Sequence, residues 1–296
     1  MNRICARHPI PTFSLTGRGR SDRAGISSLK EKGKRRRSKH ALAFLIAFSF
    51  ATPPAFAASG QEPAPSGSFP GAPPQYTHFS VRELSRGFLA LAFGSDLLIG
   101  KRPKGVRRYD HPVTVRVIRG GSIDRSAAMR NIVREYAEKV PGLRLRIAPA
   151  GARADVEVRL IDESEFNAAL VAAFGTKVAR RFIARTDPQC MTSVKSNEAG
   201  EVIHSVSFII VDQGDAVFLD CAYHELLHAF GLSSHDQHNP WTTLNQNRMV
   251  GYLSVYDRAL LTILYDPRMR PGTTRARARR LLPSIIKDRA LASRRR

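Results

Sequence analysis

HELLHAFGLSSH (residues 224–235) places His224 and His228 four positions apart, with Glu225 directly after the first of them. On a helix this spacing puts both imidazoles on one face, a single turn apart, where two ring nitrogens can chelate one metal ion. Glu225 can then reach a water on that ion rather than the ion itself, so H-E-x-x-H on a helix reads as two zinc ligands and a general base. The residues between, Leu226, Leu227, Ala229 and Phe230, are apolar. They imply burial, where histidines and a glutamate without partners would be costly. Gly231 can take the left-handed conformation that ends a helix. Beyond the turn comes His235, available to complete three ligands and leave one position open, as catalytic zinc requires. Asp236 and His238 compete for that third place; His235 asks for the smallest adjustment of the turn.

Working outward, "DAVFLDCAYHELLHAFGL" (215–232) reads as one helix and "EVIHSVSFIIVD" (201–212) as the strand that leads into it. "PVTVRVI" (112–118), "LRLRIA" (143–148) and "ADVEVRLI" (154–161) alternate as strands. Helical spacing marks residues 79–94, 122–140, 163 to about 185, 254–266 and 273–286. The order implies an α+β fold, a mixed sheet packed with helices, within one domain over residues 78–288. Met249 is the methionine nearest after the motif, and Tyr252 and Tyr256 are phenols that could serve a transition-state oxyanion. Each also has an ordinary packing explanation.

The net charge of +22 would suit a nucleic-acid binder if it were spread over the fold, but it is not. Residues 1–57 carry +10 and residues 270–296 carry +9, which leaves +3 for everything between. In the first segment a basic run (32–40) precedes an apolar run (41–51) and Ala55-Phe56-Ala57, the pattern of a secretory signal peptide over residues 1–57. The apolar run is too short for a lasting membrane anchor. Residues 58–77, rich in Pro, Gly, Ser and Ala, read as a flexible linker, and residues 289–296 as a basic tail. The C-terminal arginines have few aromatics among them for stacking bases, which argues against nucleic acid as a partner. Once Cys5 leaves with the leader, Cys190 and Cys221 are the cysteines that remain, and in an exported protein they are expected to form a disulfide.

The motif resembles that of the metzincin metallopeptidases, H-E-x-x-H-x-x-G-x-x-H followed by a Met-turn. His224, Glu225, His228 and Gly231 match in place. The third ligand does not, because Ser234 holds the family position and His235 lies one residue later. The resemblance implies a zincin-like fold, one catalytic Zn²⁺ held by His224, His228 and His235, Glu225 as general base, and a peptide or protein substrate in the periplasm or outside the cell. It also implies that Met249 lies beneath the metal. A second resemblance covers about residues 79–286. "FSVRELSRGFLALAFGSD", the two cysteines, "CAYHELLHAFGL" and "LLTILYDPRMRPGTTRARARRLLP" are similar to an exported bacterial family, domain of unknown function 2927. Many of its members carry Glu-Glu or Gln in the equivalent helix, so this resemblance implies fold and export rather than catalysis. A non-catalytic exported binding protein on a zincin scaffold, with a structural or vestigial metal site, is the alternative.

Overall fold

Six strands form one mixed sheet in the order β1-β7-β8-β6-β4-β5 in this computed structural model, which describes residues 2–6, 61–94, 103–186 and 188–291. The strands are β1 (Asn2–Ala6), β4 (Val113–Ile118), β5 (Leu145–Ile147), β6 (Val156–Ile161), β7 (Pro188–Ser196) and β8 (Val202–Ile210). β4, β5, β6 and β8 run parallel, while β7 is antiparallel to β8 and β1 antiparallel to β7. The helices are α1 (Val81–Phe93), α2 (Ser126–Lys139), α3 (Glu163–Phe174), α4 (Thr176–Thr186), α5 (Asp215–Ala229), α6 (Val255–Leu264) and α7 (Arg275–Asp288). The alternating strands have a buried and a less buried side, as Val113, Val115, Val156 and Val158 show by pointing into the main core. That core lies between the sheet and α1, α2, α5, α6 and α7. A smaller cluster around Phe166, Leu170, Met191 and Phe208 fills the opposite face of the sheet. The α+β expectation therefore holds, with helices on both faces of the mixed sheet.

Local chemistry sets the helix ends. α1 starts with a capping box: the Glu83 amide donates to Ser80 Oγ (3.2 Å) and the Ser80 amide to Glu83 Oε2 (2.7 Å). α2 begins at Ser126 rather than at Ser122, because Ser122 donates through its amide and hydroxyl to Asp162, and Asp124 accepts from the Ser126 amide. Those residues close a turn before the helix can start.

Two expectations are corrected. β7 was not foreseen, since "PQCMTSVKS" lacks the apolar alternation of its neighbours. Its buried Thr192 instead shares a hydroxyl contact of 2.6 Å with Ser207 and donates to the Glu225 carbonyl at 3.2 Å. The expected linker contains β2 (Gln61–Glu62) paired with β3 (Gln75–Tyr76), and Tyr76 stacks on Trp241 with ring centroids 5.0 Å apart. Its described part, residues 61–77, pairs and packs against the fold rather than hanging free. β1 falls within the expected leader; the basic run, the apolar run and the Ala55-Phe56-Ala57 site lie outside the described residues. So does most of the basic tail. Among the described residues no helix is long and apolar enough to cross a membrane.

Cys190 of β7 and Cys221 of α5 form a disulfide, with Cα atoms 5.8 Å apart and a sequence separation of 31. It ties the antiparallel strand to the motif helix. Closing a loop of that length should stabilise the fold by about 3–4 kcal/mol through the unfolded chain. The double variant Cys190→Ala/Cys221→Ala is expected to lose that much in denaturant unfolding. A loss under about 1 kcal/mol would show that the bond constrains little.

Candidate metal centre

α5 is held in place by hydroxyls of the sheet, of α2 and of the end of α6, aimed at its carbonyls. Besides Thr192 on the Glu225 carbonyl, Ser205 Oγ donates to Ala229 O (3.1 Å), Tyr136 Oη to Tyr223 O (2.8 Å) and Tyr265 Oη to Phe230 O (3.0 Å). The last carbonyls of a helix lack partners within it, so the Ser205 and Tyr265 contacts satisfy the buried end of α5, while Thr192 and Tyr136 hold its middle. At Gly231 the chain turns with φ +115°, and a Cβ there would stand 2.0 Å from the Arg107 carbonyl oxygen. Only glycine fits this turn, which swings the chain back so that the Ser233 amide meets Leu91 O of α1 at 2.7 Å.

That return brings His235 to the face carrying His224 and His228. The three Nε2 atoms lie 2.9 Å (His224–His235), 3.1 Å (His224–His228) and 3.2 Å (His228–His235) apart. His224 and His228 are 1% and 2% exposed, and Glu225 is fully buried. His224 Nδ1 is 2.8 Å from Thr243 O, and His228 Nδ1 is 2.7 Å from Leu232 O. A carbonyl oxygen only accepts, so each Nδ1 carries the proton and in the neutral ring each Nε2 turns a lone pair inward. Two such lone pairs at 3.1 Å repel unless a cation lies between them. Nitrogens bound to one tetrahedral zinc at ~2.0–2.1 Å would stand about 3.3 Å apart, close to the spacing here. The residues fit a zinc ion on geometry and on tautomer.

The other sequence candidates have these places in the fold. Among the described residues the group able to hold a metal is His224, His228 and His235, without Asp236 or His238. Both of those line a neighbouring pocket instead. Met249 packs half-buried against the main core. Tyr252 Oη donates to Pro73 O at 2.8 Å, and burial pushes its pKa up to about 12. Its hydroxyl is engaged with the former linker rather than with the histidines. Tyr256 lies against Phe79 in the pocket, ring centroids 4.9 Å apart.

Two carboxylates behind the site escaped the sequence reading. Asp257, wholly buried, accepts from Thr242 Oγ1 (2.5 Å), Thr243 N and Oγ1 (2.8 Å each) and Ser254 Oγ (2.8 Å). It thereby fixes the Thr243 carbonyl that orients His224, the kind of support that metal ligands need. Burial still raises its pKa despite those donors. Asp220, one turn before His224, accepts from the Val250 and Gly251 amides at 2.6 and 3.2 Å. Burial lifts its pKa to about 7.

The Asp220 shift has a sign that can be tested. A carboxyl raised from 3.8 to about 7 on folding contributes stability that is full below about pH 4 and lost as pH rises through 7. Asp220→Asn should therefore gain on the wild type in melting temperature as pH goes from 4 to 8. A gap between the two proteins that stays constant over that range would show that Asp220 has an ordinary pKa.

No curated protein matches the chain. The family described as a protein of unknown function, DUF2927, matches residues 81–284, which takes in α1, the whole parallel part of the sheet, the histidine helix and most of α7. The chain belongs to the DUF2927 family.

Proposed function

We propose that this protein is an exported, zinc-dependent metallopeptidase. The observation that carries the reading is the convergence of three Nε2 atoms within 3.2 Å, two of them with their proton held on the opposite nitrogen by a carbonyl. Three neutral imidazoles suit Zn²⁺ and leave a fourth position open. When bound there, zinc would supply Lewis acidity, lowering the pKa of a water to about 7 and polarising a carbonyl. Glu225 is the base: it takes the proton of the attacking water and returns it to the leaving amine. Thr243 and Leu232 keep His224 and His228 in the tautomer that can bind, and Asp257 keeps Thr243 in place. The disulfide and the leader pattern support export to an oxidising compartment.

The test is hydrolysis of a broad peptide library by the purified protein. Activity should vanish with a chelator and return with zinc. A zinc-loaded protein that cleaves nothing would leave the binding-protein alternative in its place.

A further inference from the structure

A pocket of about 500 Å³ lies between α1 and the segment that follows His235 in the chain. Its size is in the range of small-ligand sites. Phe79, Trp241 and Tyr256 form its aromatic walls, and Tyr76 stacks behind Trp241 at 24°. Gly87 explains the shape: a Cβ at this position would stand 1.6 Å from Tyr256 Oη. Glycine inside a helix costs about 1 kcal/mol relative to alanine, and here it leaves room for the phenol.

The charge in the pocket points to its ligand. Asp236, next to His235 in the chain, is partly buried, and among the described residues its Oδ1 accepts from the His238 amide at 3.2 Å. Among the described residues no cationic side chain pairs with it. Glu83 and Arg86, one charge of each sign, line the same pocket from α1. Aromatic faces beside an unmatched carboxylate are the chemistry that holds an organic cation.

We propose that this pocket binds a lysine or arginine side chain of the peptide substrate, with Asp236 as its counter-charge. The proposal rests on the metallopeptidase reading and names the substrate class of the same site. A cation seated here would present the neighbouring peptide bond on the His235 side of the site.

Trp241 is the single tryptophan of the chain, so its fluorescence reports on this pocket. The probes are acetyl-Ala-Lys-Ala-amide and its norleucine and glutamate counterparts, titrated into full-length Glu225→Gln protein so that nothing is consumed. The lysine peptide should bind about tenfold more tightly than the norleucine peptide. Asp236→Asn should erase that preference. Arg86→Glu, an exposed change that does not threaten folding, should strengthen lysine binding about threefold. Equal binding of lysine and norleucine, tighter binding of glutamate, a preference that survives Asp236→Asn, or no gain in Arg86→Glu would each overturn the proposal. Because the readout is binding, a protein that hydrolyses nothing but still selects lysine would fail the peptidase reading and keep this one.

Discussion

Glu225→Gln is expected to lower kcat/KM on peptides by about a thousandfold while the protein keeps its zinc. The amide is nearly the same size as the carboxylate, so the buried site should stay packed, but it cannot accept the proton of the attacking water. Glu225 is not among the groups that converge as metal ligands, and its backbone carbonyl is fixed by Thr192. Stoichiometry by elemental analysis and kinetics on the same preparation separate the two roles. Loss of zinc together with activity would make Glu225 a structural support of the site. Unchanged hydrolysis would remove it from the mechanism.

Gly231→Ala should destabilise the fold and loosen the metal site together. The left-handed φ of +115° strains any L side chain, and the new Cβ would overlap the Arg107 carbonyl oxygen, a backbone atom that cannot swing away. Together these should cost about 3 kcal/mol, or roughly 10 °C in melting temperature for a domain of this size. The turn also delivers His235, so zinc should be held more weakly even in the fraction that folds. A variant that melts like the wild type and retains its zinc would show that the turn can relax, and that the placement of His235 does not depend on it.

The parts of the fold that the sequence made legible are those where one local rule dominates. Alternation marked β4, β6 and β8, helical spacing marked α1, α5, α6 and α7, and the H-E-x-x-H spacing located two of the three histidines on one face. The glycine turn brought a third ligand within reach, with His235 preferred to Asp236 and His238 because it asks for the smallest adjustment. β7 stayed hidden because its inward positions include Thr192, whose burial depends on Ser207 and on a carbonyl of α5 that no window around residue 192 contains. The carboxylate support stayed hidden for a related reason. Ser254 and Asp257 look locally like an ordinary helix start, and indeed the Asp257 amide donates to Ser254 Oγ at 3.0 Å. Their tie to Thr243, and through it to His224, appears only when the loop folds back. The linker was read from composition, which speaks to backbone freedom but not to the packing of Tyr76 on Trp241.

The central claim is that His224, His228 and His235 together hold one zinc ion. Its most direct measurement is the metal content of the folded protein, purified without chelator, for the wild type and for His235→Ala. The account predicts about one zinc per wild-type chain and less than about a tenth in the variant under the same dialysis. A well-folded wild type with less than a tenth of an equivalent of zinc, or a His235→Ala protein that keeps a full equivalent, would contradict it.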